Sequence, residues 1–304
     1  MAEIKERQFS KPVRKTKLES LRDFIWNSET GECLGRTLGS WVKIVIFYII
    51  YYACLVAFWT GLLLAFYQTV DDTKPTWRLT ASLIGNSPGL GFRPRPPKEN
   101  AATSLIWITH NKKKSWKHWV KSLDEFLEPY QGKHQDENLS STCGFDQGPG
   151  KGKVCHYPMD LIPVNCTSAQ SYGYETGHPC VLIKLNRIYD WVPEPFDNES
   201  LPEDMPEDLK QNYDPRFVYI TCAGENPADR ENIGPISYYP SQGIPSYYFP
   251  FTNLPSYQSP FIFIHLEMPV KGILINVECK GWASNMAYDR KERLGSVHFE
   301  ILVD

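Results

Sequence analysis

The chain has 304 residues, with 32 Lys/Arg against 35 Asp/Glu, a formal net charge of −3 and 42% hydrophobic residues. A balance this close to neutral, without a basic stripe, excludes the electrostatic footprint of a nucleic-acid-binding protein. The length admits one sizeable domain with its own core beside a membrane segment.

Residues 1–20 are polar and mixed in charge and read as a disordered tail. From Leu21 to Trp41 the chain carries Trp26, Trp41 and a Leu34-Gly35-Arg36-Thr37 element, which predicts an ordered stretch against the membrane face. The two tryptophans are read as interfacial anchors rather than as a specific binding site. Ile44 to Tyr67 then runs twenty-four residues without a charge, enough at about 1.5 Å per residue to cross a bilayer as one helix. Forty-three residues precede this run and no small-residue cleavage site follows it, so it predicts a retained anchor and not a cleaved signal peptide. Nine Lys/Arg and six Asp/Glu lie before it, and Asp71 and Asp72 come just after. That asymmetry places the N-terminus in the cytoplasm. The expected organisation is a single-pass type II membrane protein: a cytoplasmic tail over 1–42, a transmembrane helix over 43–68, and an extracellular, disulfide-bonded, glycosylated domain over 69–304.

Within the apolar run, Ala53, Ala57, Gly61 and Ala65 recur at i, i+4 and form a small-residue stripe that lets another helix approach closely. Tyr48, Tyr51 and Tyr52 sit deeper than an aromatic belt, where a phenol needs a hydrogen-bond partner. Both features favour a transmembrane partner over a helix that faces only lipid, although the stripe also suits homodimerisation.

Beyond the anchor, Thr73 to Asn100 is rich in Pro and Gly and reads as a stalk or a surface-clinging strand. Ser104 to His110 is a short apolar run with strand character. Trp116, Trp119, Val120, Leu123, Phe126, Leu127 and Tyr130 recur at helical spacing and predict one amphipathic helix packed on the core. Strands are predicted at Pro179–Arg187, Arg216–Cys222, Pro260–Met268, Gly272–Lys280 and Leu294–Val303. The last alternates Val297, Phe299, Ile301 and Val303 with His298 and Glu300. Strands without intervening helices point to a mainly β, antiparallel sandwich. Pro193 to Pro215 carries eight acidic residues, one Lys and five prolines and reads as a solvated loop. Pro235 to Pro260 has a proline every fifth residue interleaved with aromatics. Proline lacks the amide proton a ladder needs, so this is no central strand, and its aromatics either roof the core or face a partner.

Six cysteines, Cys143, Cys155, Cys166, Cys180, Cys222 and Cys279, lie beyond the anchor and read as three disulfides, with fifteen pairings open. The three N-x-S/T acceptors, Asn138, Asn165 and Asn198, fall on the same side. Catalytic patterns fail. GPGKGKV at 148–154 has Gln147 where a phosphate loop needs Gly and Val154 where it needs Ser/Thr. No H-E-x-x-H, G-x-S-x-G, C-x-x-C or Asp-x-Asp occurs. His156 and His178 stand beside cysteines but read as loop histidines next to disulfides rather than zinc ligands. A binding or assembly role, with no metal or cofactor, is therefore expected.

The cytoplasmic FIWNSETGECLGRTLGSWVKI, the FYIIYYAC opening of the membrane helix, and the cysteine contexts KVC, NCT, PCVLIKLNR and VECK resemble the beta subunits of sodium/potassium-transporting ATPases, over nearly the whole chain from Phe24. GLGFRPRPP after the anchor is closer to invertebrate, arthropod-type members. The resemblance implies a non-catalytic plasma-membrane glycoprotein with an immunoglobulin-like ectodomain that assists folding, export and potassium handling of a catalytic alpha subunit. It implies consecutive pairing, Cys143–Cys155, Cys166–Cys180 and Cys222–Cys279. It also implies alpha-subunit contacts from Tyr48, Tyr52, Ala53, Ala57 and Gly61 in the membrane, and from Tyr247, Tyr248, Phe249 and Phe251 outside it. Besides the alpha subunit and the lipid bilayer, a small single-span regulatory subunit is an open partner. The chain departs from the family in a first disulfide loop shorter than in vertebrate members, and in reading Tyr247-Tyr248-Phe249-Pro250-Phe251-Thr252-Asn253 where Tyr-Tyr-Pro-Tyr-Tyr-Gly-Lys is frequent. A cell-adhesion glycoprotein, or the beta subunit of the related proton/potassium pump, are the alternatives.

Overall fold

The computed structural model describes residues 16–28, 30–100, 102–109, 113–131, 139–197 and 199–304. It divides into two units, 1–71 and 72–304.

In the first unit, helix α1 (Lys17–Ile25) begins inside the stretch read as a disordered tail. Thr16 starts it with a capping box: its hydroxyl accepts from the Glu19 amide, and the Glu19 carboxylate accepts from the Thr16 amide. This local pairing is what a polarity argument overlooks. A three-strand meander follows, β1 (Trp26–Asn27), β2 (Glu32–Cys33) and β3 (Arg36–Thr37). Leu34 and Gly35, at φ 51° and 71°, make the two-residue turn between β2 and β3, the left-handed pair whose twist suits a hairpin. Helix α2 (Leu38–Tyr67) then runs 30 residues. It starts before the uncharged run, because Lys43 and its neighbours continue the helix out of the apolar segment without any breaker. It is the one helix among the described residues long and apolar enough to cross a membrane, and none of its most apolar window is buried.

The second unit is mainly β. One sheet has four strands in the order β10 (Ile236–Tyr239), β12 (Phe261–Leu266), β8 (Cys180–Leu185), β4 (Leu90–Arg93). The other has five, β11 (Gly243–Pro245), β9 (Phe217–Gly224), β13 (Leu274–Trp282), β14 (Ser296–Val303), β5 (Leu105–Ile108). A small pair, β6 (Ser140–Ser141) and β7 (Val154–Cys155), lies apart. The inward faces of both large sheets contribute to one hydrophobic core, including Leu182 and Phe263 from the first and Val277, Phe299 and Ile301 from the second. Each such fully buried side chain contributes roughly 1.5–3 kcal/mol.

Five strands fall where the periodicity predicts them. Three findings differ. First, β5 pairs with β14 in parallel, Glu300↔Leu105 to Val303↔Ile108, so the five-stranded sheet is mixed rather than antiparallel. Second, of the stalk and the surface-clinging strand expected after the anchor, the strand forms as β4 at the sheet edge beside β8, but with Leu90 and Phe92 buried in the core rather than at the surface. Third, the acidic loop is not wholly solvated. It holds helix α4 (Glu207–Gln211), and Met205 and Leu209 pack with Trp282 in a small apolar cluster. The proline-rich segment does supply strands, but β10 and β11 are both outer strands, where a missing amide costs least.

Helix α3 (Lys113–Leu127) covers the β5 edge. Trp116, Trp119, Leu123 and Leu127 are buried, and Trp119 Nε1 donates to the Trp107 carbonyl at 2.9 Å. Helix α5 (Pro227–Asn232) approaches β9 so closely that a Cβ on Gly224 would lie 2.3 Å from the Arg230 nitrogen. The buried Asp229 fastens α5 to β13: Oδ1 accepts from the Asn276 amide at 3.0 Å and Oδ2 from the Asn226 amide at 3.2 Å.

Candidate partner-binding surfaces

On α2 the tyrosines and the small residues occupy different sides. A helix turns about 100° per residue. Tyr48 and Tyr52 are four residues apart, stacked with ring centroids 6.0 Å apart. Ala53, Ala57, Gly61 and Ala65 all lie about 100° or more round from both tyrosines. The expected contact residues of the membrane helix therefore do not converge on one face; they offer two faces, one aromatic and one flat. Tyr48 and Tyr52 are 49% and 56% exposed. A Cβ added at Gly61 would meet nothing.

The aromatic segment resolves into two roles. Tyr248 is buried, with its hydroxyl donating to the His156 carbonyl at 3.3 Å, and belongs to the core. The 3-10 turn Ser246–Tyr248 carries this ring into the core, whereas the expected partner contacts beside it keep exposed surface. Tyr247, Phe249 and Phe251 stay half-buried. Each is fixed by another ring: Tyr247 by Phe145 at 5.2 Å, Phe249 by Trp191 at 5.3 Å, and Phe251 by Tyr257 at 4.9 Å. The Arg187 guanidinium lies 5.3 Å from the Phe251 ring centre and 5.2 Å from that of Tyr257, a cation–π arrangement that stiffens the patch. A cavity of about 220 Å3 opens beside Tyr157, Leu161, Ile244 and Tyr247. Another, of about 280 Å3, lies between Trp77, Arg78, Tyr189 and Phe251. Phe145, Arg187 and Tyr189 thus complete the surface, with the buried Trp191 supporting it from beneath, and all four lie in loops or at a strand end. The signal available was the aromatic run Ile188 to Trp191 directly after a predicted strand.

Burial raises the Tyr157 phenol far above its ordinary value, helped by the neighbouring Tyr248, Tyr130 and Tyr247. The Tyr157 phenol therefore stays neutral. Lys184 on β8 is pushed the other way: burial first, then the charges of Arg93, Arg187 and Arg95, lower its ammonium to about 8.

Cys143 is bonded to Cys155, Cys166 to Cys180 and Cys222 to Cys279. Cys222 and Cys279 are register partners in β9 and β13, so this disulfide lies within one sheet, unlike the inter-sheet bridge of antibody domains. Asn165 is exposed on the 3-10 turn Val164–Cys166. Asn138 and Asn198 lie outside the described residues. Among the described residues no group of three or more His, Cys, Asp or Glu is placed to hold a metal ion.

The family model for the sodium/potassium ATPase beta chain matches residues 11–299. The chain belongs to that family. Among its relatives is the sodium/potassium-transporting ATPase subunit beta-2 of Drosophila melanogaster, 41% identical over 98% of this chain and 96% of the relative. Subunit beta-1 of the same organism is 38% identical over 98% and 96%. Subunit beta-1 of Tetronarce californica is 30% identical over 93% and 95%. The family match thus takes in the meander, α2, all six disulfide cysteines and both sheets up to the middle of β14.

Proposed function

We propose that this chain is the non-catalytic beta subunit of a sodium/potassium pump, anchored once in the plasma membrane with residues 1–42 cytoplasmic and residues 69–304 outside, and partnered with a catalytic alpha subunit. The observation that carries the reading is the family match over residues 11–299, with relatives that align end to end. The charge asymmetry about α2 and the three acceptors beyond it support the type II orientation. Two sheets around one core support an immunoglobulin-like sandwich in the broad architectural sense.

The alpha subunit supplies the phosphorylation chemistry; this chain acts by binding. Tyr48 and Tyr52 offer phenols within the membrane to one helix of the partner, and the flat Ala53–Ala57–Gly61 face admits a second close approach. Outside, Tyr247, Phe249 and Phe251 form the rigid aromatic patch that meets the partner. A subunit that binds one pump conformation better than another shifts their equilibrium and, by linkage, changes the apparent affinity of any ion that prefers one of them.

Co-expression with a sodium-pump alpha subunit tests this. Ouabain-sensitive ATPase activity is expected only when both chains are present. Gly61→Leu is expected to weaken detergent-stable association, and Tyr48→Ala with Tyr52→Ala to shift potassium activation. A chain that reaches the surface alone, aggregates cells and leaves alpha-subunit abundance unchanged would be an adhesion protein.

A further inference from the structure

Among the described residues, helix α1 keeps one apolar side largely exposed. Leu18, Leu21 and Ile25 follow i, i+3, i+7 spacing, and Phe24 adjoins Leu21. They are 80%, 55%, 51% and 55% exposed in that order, and no residue of the helix is buried. Glu19 and Asp23 occupy the opposite side, with Arg22 on the border beyond Leu18 and Ser20 on the border beyond Phe24.

The helix is also tethered. Trp26, directly after α1, pairs with Cys33, and Cys33 pairs with Arg36, two residues before α2 begins. Two strand spacings amount to roughly 10 Å, so the C-terminal end of α1 cannot leave the foot of the membrane helix by more than that. The Leu34 amide donates to the Ile25 carbonyl at 3.2 Å, Trp41 Nε1 donates to the Cys33 carbonyl at 2.8 Å, and the Phe24 ring lies against Gly35. The α2 helix of 30 residues extends about 45 Å at 1.5 Å per residue. That covers the hydrocarbon and the headgroup layers together, so its first turn, and α1 with it, falls in the interface.

Charge identifies the surface. Residues 1–17 carry Lys5, Arg7, Lys11, Arg14, Lys15 and Lys17 against Glu3 and Glu6, six minus two or a net +4. An amphipathic helix preceded by a basic segment and fixed beside a membrane span matches an anionic lipid surface.

We propose that α1 is an interfacial helix that lays Leu18, Leu21, Phe24 and Ile25 among the headgroups of an anionic bilayer, the sign of the lipid charge being chosen by the net +4 of residues 1–17. This contact is separate from any contact with the alpha subunit.

The full-length chain carrying Cys33→Ser and Cys54→Ser, with a single environment-sensitive fluorophore at Leu21→Cys or at Asp23→Cys, tests this in nanodiscs. Both faces of a nanodisc have the same lipids, so the readout does not depend on which side the N-terminus occupies. With phosphatidylserine and phosphatidylcholine, emission from position 21 should shift to the blue and be quenched by doxyl-labelled lipid, while position 23 is not quenched and stays solvent-like. Leu18→Ser with Ile25→Ser should abolish the quenching at position 21, and phosphatidylcholine alone should reduce it. Solvent-like emission at both positions in the mixed lipid overturns the proposal, as does quenching at 21 that is equal in both lipids. Protection at 21 that ignores doxyl lipid and persists in detergent also overturns it, and assigns the apolar side to the alpha subunit or to a second copy.

Discussion

Removing the Cys222–Cys279 disulfide by Cys222→Ala with Cys279→Ala should destabilise the β unit more than removing either of the others. Its cysteines are 57 residues apart in sequence, against 14 for Cys166–Cys180 and 12 for Cys143–Cys155. The loop-closure entropy of the unfolded chain then amounts to about 4.2, 3.0 and 2.8 kcal/mol respectively. The native side of the balance changes little. Cys222 and Cys279 are both buried, alanine keeps the site apolar, and the β9–β13 register from Val277↔Gly224 to Trp282↔Tyr219 holds the strands without the bond. Urea unfolding of the full-length chain in mild detergent, followed by the fluorescence of the buried Trp116, Trp119, Trp191 and Trp282, measures the difference. At an m-value of about 2.5 kcal/mol per M, the midpoint should fall by about 1.7 M for the Cys222/Cys279 pair and about 1.2 M for the Cys166/Cys180 pair. If the Cys166/Cys180 variant unfolds at the same urea concentration as the Cys222/Cys279 variant, or lower, loop length does not govern the ranking and the reasoning fails.

Lys184→Met should flatten the pH dependence of stability. The Lys184 ammonium titrates near 8 in the fold against 10.5 unfolded, so between these values the unfolded chain binds more protons and stability rises with pH. Subtracting the variant's melting curve from that of the natural chain should isolate a rise in that window, and an equal slope in both proteins would contradict it. Asp229→Ala should cost roughly 1–3 kcal/mol by leaving the Asn276 amide unpaired. Burial pushes the Asp229 carboxyl up, but the hydrogen bonds from Asn276 and Asn226 outweigh it and hold the group below its ordinary value. Hydrogen exchange should therefore show faster opening of α5 and the start of β13 in the variant, and unchanged protection there would refute the role.

Some of this protein follows from local chemistry alone. An uncharged run of twenty-four residues has no stable place but a membrane or a large core, and α2 forms there. The 3.6-residue recurrence of Trp116 to Leu127 defines the buried side of α3, and the alternation of Val297 to Val303 defines that of β14. Prolines at five-residue intervals exclude central strands, and β10 and β11 are outer strands. The capping box of α1 was also present in the residues, in Thr16 and Glu19, although overall polarity obscured it.

The rest depends on partners distant in sequence. A period of two says which face of a strand is buried but not which strand donates to it. The parallel pairing of β5 with β14, the recruitment of β4 to the edge beside β8, and the confinement of Cys222–Cys279 to one sheet come from contacts across tens to hundreds of residues. The aromatic segment shows the same division. Composition makes Tyr247 to Phe251 apolar, yet only the turn at Ser246–Tyr248 and the rings of Phe145, Trp191 and Tyr257 send Tyr248 into the core and leave the other three at the surface. Backbone hydrogen bonds and side-chain packing are satisfied globally, so the same local pattern can close against several neighbours, and the tertiary fold selects the set that satisfies most of them together; His156 Nδ1, the Tyr174 hydroxyl and Trp191 Nε1 stay buried without a hydrogen-bond partner.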